Sequence, residues 1–271
     1  MPETAPIHDP DAVLTEHQSG LCILTLNRPQ RLNALNAGML RLLHAHLSAC
    51  AADDSIRTIV LTGAGKGFCA GQDLNDRDPR KLTAPLDLEA IQKDLFHPLI
   101  LLMRQMPKPV IVAVNGIAAG AGSSLALAGD LVLAASSAKF VQSFVKVGLS
   151  VDGGGGWHLV KALGPMRARA LLLKGEALTA EDAAKLGLIT SCLPDAELMQ
   201  AALKLAAQLA SGPAKAHAAI KAAINAAMQA SNFESYLQVE AALQGEAGFS
   251  ADYREGVLSF LERRPAQFKG N

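Results

Sequence analysis

Pro109-Val110-Ile111-Val112-Ala113-Val114-Asn115-Gly116-Ile117-Ala118-Ala119-Gly120-Ala121-Gly122 is an apolar run that stops at a glycine turn and passes into small residues reaching Ala128. The first six residues carry no polar alternation, the pattern of a strand covered on both faces. Gly120-Ala121-Gly122 then opens a small-residue helix. The same grammar recurs on both sides. Ile56 to Thr62 is a β-branched run closed by Gly63-Ala64-Gly65, and Asp130 to Ala135 is a second buried run, followed by the glycines of Gly148 to Trp157. Three units of strand, glycine turn and helix predict an α/β protein built from repeated ββα layers wound into a spiral. The repetition is structural, without a sequence repeat.

Outward from this centre, Val13 to Leu26 reads as a hairpin turning at Ser19-Gly20. Met39, Leu40, Leu43 and Leu47 sit at helical spacing within Asn36 to Ala52, and Asp87 to Met106 reads as one amphipathic helix. Thr179 is a natural N-cap and Gly187 a natural C-terminal stop for a helix over 178–186. From Ala196 the chain is alanine-rich and helical, broken at Ser211-Gly212-Pro213, Ser231-Asn232 and Gly248. The expected organisation is a loose tail over 1–12, a spiral core over 13–195 and a helical oligomerisation subdomain over 196–271.

Half of the 271 residues are hydrophobic, enough for a sizeable core, and Lys+Arg and Asp+Glu balance at 25 each. That balance gives no electrostatic reason to expect nucleic acid or an anionic membrane as partner. Cys22, Cys50, Cys69 and Cys192 form no CxxC pair, so reduced thiols are expected rather than a metal site or disulfide framework. The first residues lack the basic start and apolar run of a secretory signal. A cytoplasmic protein is the expectation.

Three glycine-rich turns could carry chemistry: Gly67-Phe68-Cys69-Ala70-Gly71-Gln72-Asp73-Leu74, Asn115 to Gly122, and Gly148 to Trp157. Small residues let backbone N–H groups approach a ligand, and a helix start leaves amides unpaired. Two such amides from different turns can hold a carbonyl oxygen as negative charge develops on it. The bland alternative for any one turn is glycine serving only tight turning and close helix packing. None of them is a phosphate loop, since no GxxxxGK[ST] occurs.

Taken together and in this order, the turns resemble those of the crotonase (enoyl-CoA hydratase/isomerase) superfamily. The resemblance runs from about residue 13 to the end. Asn27-Arg28-Pro29 with Leu32-Asn33-Ala34-Leu35 is similar to the family's opening motif, and Phe68 to Leu74 to its first oxyanion turn. Pro109 to Gly122 is similar to the second, and Ser250 to Gly256 with Phe260 to the C-terminal helix.

The resemblance implies that the backbone N–H groups of Gln72 and Ala121 form an oxyanion hole for a thioester oxygen. The Ala70 carbonyl, with main chain near Leu32 and Asp73, would then meet the CoA adenine, Leu74 would belong to the same CoA site, and Arg28 or Arg31 would face its phosphates, the alternative being solvated surface arginines. Phe260 and Lys269 would reach a neighbouring CoA site, because the family forms trimers and dimers of trimers. A homotrimer or hexamer is therefore expected. CoA would arrive as part of an acyl-CoA substrate, with no metal and no separate cofactor.

Hydratases of the family hold a water with two glutamates, and those positions fall here at Ser124 and Phe144. Neither moves a proton usefully. Asp152, in the third turn, remains where isomerases of the family carry their carboxylate. An apolar pocket lined by Ser124, Phe144 and Trp157 would desolvate it and make it a better base. The alternative is an Asp that only serves the turn before Gly153. Cys69 lies in the first turn without an evident base, and Asp73 and Asp130 read as turn or capping groups.

The pattern from Gly67 to Arg77, with Ala118 to Gly122 and Gly148 to Trp157, resembles family members that isomerise 2-(1,2-epoxy-1,2-dihydrophenyl)acetyl-CoA to oxepin-CoA in phenylacetate catabolism. That isomerisation, with Asp152 as acid/base, is the expected activity. Alternatives are double-bond isomerisation or hydration of aliphatic enoyl-CoA and, in another class, a non-catalytic acyl-CoA- or RNA-binding homologue.

Overall fold

The computed structural model describes residues 9–270, so the start of the expected tail and Asn271 lie outside the described residues. The tail's last part is not loose: Asp9 caps a 3-10 turn over Pro10–Ala12, and the buried Ala12 accepts from the Asn27 N–H at 2.7 Å. The hairpin follows as β1 (Val13–Gln18) and β2 (Leu21–Leu26), with Val13 opposite Leu26. Asn36 then caps α1 (Ala37–Ala52) by accepting from the Met39 N–H at 2.8 Å.

The spiral comes from three pairs of consecutive strands. They are β3 (Thr58–Gly63) with β4 (Gly67–Cys69), β5 (Val110–Val114) with β6 (Ile117–Ala119), and β7 (Leu131–Ala135) with β8 (Lys139–Val141). The first strand of each pair joins one sheet and the second joins another. β9 (Ala177–Thr179) and β10 (Ser191–Leu193) complete them, giving orders β1-β2-β3-β5-β7-β10 and β4-β6-β8-β9. β5 is central, paired in parallel with β3 and β7, and all five of its residues are buried; with both faces covered, one of them by the helix over Leu198–Ala210, the run shows no alternation. Full burial of each such Val or Ile is worth roughly 1.5–3 kcal/mol.

Helices close the layers. The expected helix over 87–106 is three pieces: α2 (Leu88–Ile91), a π turn over Gln92–Phe96, and α3 (His97–Gln105). Pro98 is the cause: it has no N–H to give the carbonyl of residue 94, and its ring crowds that carbonyl, so the ladder widens. All residues of α4 (Ala121–Leu127) are buried. Its first turn comes close to β4, where a Cβ on Gly122 would stand 2.3 Å from the Cys69 carbonyl oxygen. α5 (Gly155–Lys174) is kinked at Gly164, and α6 (Ala180–Lys185) starts at the Thr179 cap, with Gly187 at φ +74° past its end.

The alanine-rich tail forms α7 (Leu198–Ala210), α8 (Ala214–Gln229), α9 (Phe233–Gly248) and α10 (Ala251–Leu261), broken at the expected places. The expected boundary at residue 196 groups α7 with this tail. The structure instead packs α7 on β3, β5 and β7, burying Leu198, Ala202, Ala206 and Ala210, so the helices standing off the sheet begin at α8. Lys221 anchors α8. Its ammonium lies 2.7 Å from Asp130 and donates to the carbonyls of Met103 and Lys108. Asp130 also accepts from the Val110 N–H at 2.8 Å, the structural role its sequence position suggests. No helix among the described residues is long and apolar enough to cross a membrane.

Candidate active site

The first two glycine turns lock against each other. Leu35 donates to Gly71 O (2.7 Å) and accepts from the Asp73 N–H (2.9 Å). In this parallel bridge the intervening Gln72 turns its own N–H away from Leu35. A Cβ on Gly71 would stand 2.7 Å from the Ala119 carbonyl oxygen and 3.5 Å from the Ala121 nitrogen, so the two stretches of backbone run side by side. Ala121 is the first residue of α4, where amides have no intrahelical partner. Gly120, at φ +49°, makes that entry, and a Cβ there would lie 3.8 Å from the Phe144 ring. Gln72 and Ala121 are thus brought together, with Phe144 buried beside them.

The third turn reaches the same place. Asp152 Oδ2 accepts from Gln72 Nε2 at 2.6 Å and from Gln92 Nε2 at 3.1 Å. Its backbone carbonyl accepts from the Ser124 hydroxyl at 2.8 Å. Ser124 is fully buried, and a Cβ on Gly155 would stand 2.4 Å from its Oγ, so glycine there lets the turn close on α4. Burial pushes the Asp152 carboxyl above the usual carboxylate range. The amides of Gln72 and Gln92 and the charges of Arg77 and His97 pull the other way without overcoming it.

Arg28 departs from the expectation of a phosphate ligand. Its guanidinium is turned inward, donating to the Ala34 carbonyl at 2.5 Å and to Asp73 Oδ2 at 2.9 Å. It therefore braces the loop between β2 and α1 against the first turn. Asp73 also accepts from Asn75. Burial opposes its ionisation, but Asn75 and Arg28 outweigh burial and hold its carboxyl below the ordinary value. Arg31 is exposed. Leu32 and Leu74 are exposed beside the turn, and the Leu32 carbonyl accepts from the Ala70 N–H at 2.9 Å. Phe260 is 82% exposed on α10 and Lys269 is exposed beyond it, its N–H bonded to Asp252 at 2.7 Å.

Trp157 also differs from its expected place in the apolar lining. It is half exposed on α5, with the Lys161 ammonium 4.7 Å from its ring centroid. A cavity of about 180 Å³ lies between the first turn, the start of α1 and residues 86–96; Gln72, Asp73, Asp76, Leu86, Ile91 and Phe96 are among its lining, and Gln72 is what connects it to Asp152. A larger cleft of about 670 Å³ between α8, α9 and Gln105–Pro107 contains none of the three turns. Cys69 is buried, which pushes its thiol up to about 12, too high for a nucleophile at neutral pH. No cluster of three or more metal-ligating side chains occurs among the described residues.

Two contributors escaped the sequence reading. One is the Gln72 side chain, noticed there only for its backbone amide. The other is Gln92, whose signal was Pro98 on a helical run, the mark of an interrupted helix.

This geometry can be set beside known proteins. The family model described as enoyl-CoA hydratase/isomerase matches residues 16–271. The chain is 47% identical to the 1,2-epoxyphenylacetyl-CoA isomerase of Escherichia coli K12, covering 95% of this chain and 98% of that protein. It is 34% identical to the 2,3-dehydroadipyl-CoA hydratase of the same organism, covering 95% and 98%. Among solved structures, the enoyl-CoA hydratase of Polaromonas sp. JS666 superposes with a TM-score of 0.86 at 37% identity, covering 95% of this chain and 99% of that one.

Proposed function

The chain belongs to the enoyl-CoA hydratase/isomerase family and is an enzyme of that family, and from that premise we propose that it isomerises 2-(1,2-epoxy-1,2-dihydrophenyl)acetyl-CoA to oxepin-CoA. The observation that carries this reading is the desolvated Asp152 carboxyl, which accepts from the Gln72 side chain where the backbone of the first turn runs beside Ala121. No second carboxylate is among its partners in the described residues. Ser124, at a position where the resemblance expects a hydratase glutamate, has its hydroxyl committed to the Asp152 carbonyl. Neither Ser124 nor Phe144 supplies a carboxylate to activate a water.

In this reading the thioester oxygen accepts from both amides, which favours the enolate over the ground state. Asp152 takes a C2 proton, and its raised affinity for protons suits it to return that proton elsewhere on the conjugated system. The cavity walled by Leu86, Ile91, Leu95 and Phe96 receives the ring. The Ala70 carbonyl, with main chain at Leu32 and Asp73, meets the adenine, Leu74 belongs to the same CoA site, Arg31 faces phosphate, and no metal or separate cofactor takes part.

The test is kcat/KM for enzymatically generated epoxyphenylacetyl-CoA and for a cis-3-enoyl-CoA on one preparation, in heavy-oxygen water. The epoxide is expected to win and the products to stay unlabelled. A tenfold advantage for the aliphatic substrate, about 1.4 kcal/mol of transition-state stabilisation, overturns the substrate assignment. Efficient label incorporation would make the enzyme a hydratase.

Assembly belongs to the same proposal. Phe233, Phe249, Phe260 and Leu261 on and around α9 and α10 are each more than 70% exposed, large apolar side chains that a lone chain leaves in water. Sedimentation is expected to give a homotrimer or hexamer in which Phe260 and Lys269 approach a neighbour's CoA. A stable, fully active monomer would contradict it.

A further inference from the structure

The Asp152 carboxyl is gripped through one oxygen. Both carboxamide nitrogens, from Gln72 at 2.6 Å and Gln92 at 3.1 Å, converge on Oδ2. Oδ1 is buried without a partner, and so are Gln72 Oε1 and Gln92 Oε1. Two donors on one oxygen fix the plane of the carboxyl group, since rotation would break both bonds. Oδ2 can accept these bonds whether the group is ionised or carries its proton on Oδ1. The grip therefore survives a full cycle of proton uptake and return.

Gln92 is placed there by backbone geometry. It opens the π turn over Gln92–Phe96, a local widening often kept at functional sites. Packing alone would not call for a carboxamide whose own oxygen is left buried and unpaired.

We propose that Gln92 is a positioning residue for proton transfer: with Gln72 it clamps Asp152 Oδ2, so that Oδ1 alone takes and returns the substrate proton. The inference rests on Asp152 being the acid/base. The C2 proton moves to Oδ1 while the C–H electron pair enters the thioester as the enolate. The Oδ1 proton is then delivered to another carbon of the conjugated system, and the carboxylate is restored. No other reactant is needed.

Gln92→Leu removes the donor at similar volume, Gln92→Glu replaces it by an acceptor, and Gln92→Met is the second apolar variant should Leu fail the thermal melt. With cis-3-hexenoyl-CoA, Gln92→Leu is expected to lower kcat about tenfold, the scale of one hydrogen bond to a charged group, with KM nearly unchanged. Loss of a bond that favours the carboxylate should move the acidic limb of kcat/KM upward by about one pH unit. Gln92→Glu should move it further, through like-charge repulsion.

Infrared titration gives a readout without turnover. The carboxyl band absent from Asp152→Asn reports Asp152, and its midpoint should rise in Gln92→Leu. An unmoved midpoint and an unmoved acidic limb would overturn the clamp, whatever happens to kcat. If Asp152→Asn turns over like the unsubstituted enzyme, the acid/base reading fails, while the midpoint still decides whether the clamp exists.

Discussion

Replacing Asp152 by Asn lowers isomerisation by at least about a hundredfold, the usual scale for a lost general base, and leaves acyl-CoA affinity within a few fold. Asn keeps the shape, and its carbonyl oxygen can still accept from the Gln72 and Gln92 amides, so the turn over 152–155 has no reason to move. The thermal behaviour has a definite sign. Burial raises the folded-state affinity of Asp152 for its proton. Below the unfolded pKa both states are protonated and there is no penalty. As pH rises toward the folded value, the unfolded chain loses its proton first and stability falls. Asn carries no such penalty, so Asp152→Asn should melt at or above the unsubstituted enzyme near neutral pH, with the difference shrinking in acid. Near-normal turnover, measured with product analysis beside the melts, would remove Asp152 from the mechanism.

Gly71→Ala is expected to be the other severe change. Gly71 sits at φ +93°, outside the region side-chain-bearing residues adopt readily, and its Cβ would meet the Ala119 carbonyl oxygen at 2.7 Å. The neighbour is backbone and cannot swing aside. The first turn must then back away from the second, separating the Gln72 and Ala121 amides and dragging the Gln72 side chain from Asp152. Losing one oxyanion donor costs about a hundredfold to a thousandfold in kcat, and that is the expected loss. Gly148→Ala is the control: its φ is also positive, at +71°, but nothing lies within 4 Å of a Cβ there. It should cost about 1 kcal/mol of stability and leave kcat intact. Equal kinetic effects from both would mean that backbone strain, not the spacing of the amides, is what Gly71 protects.

Much of the frame is local physics and was legible along the chain. A five-residue strand with both faces buried is apolar throughout, so β5 announces itself. The caps Asn36 and Thr179 act within three residues, and the breaks before α8, α9 and α10 follow from Gly, Pro and Asn. Where the reading failed, side chains made choices over longer spans. Arg28 could face solvent or turn inward, and Asp73, 45 residues on, decides it. α7 carries the same alanine-rich pattern as α8, yet only the sheet beneath it separates core from appendage.

The sequence by itself determined the strand–turn–helix order, the positions where bare backbone could be offered, and the presence of one carboxylate in the third turn. Each depends on sterics and periodicity within a few residues. Only the tertiary structure decided that Asp152 meets Gln72 and Gln92, respectively 80 and 60 residues away in the chain. It also decided that Trp157 stays half exposed and that residues around the π turn line a cavity with Gln72. Those encounters depend on how the layers stack through contacts such as Gly71 on Ala119 and Gly155 on Ser124. A glycine in a sequence says that something can come close, and the fold chooses what does.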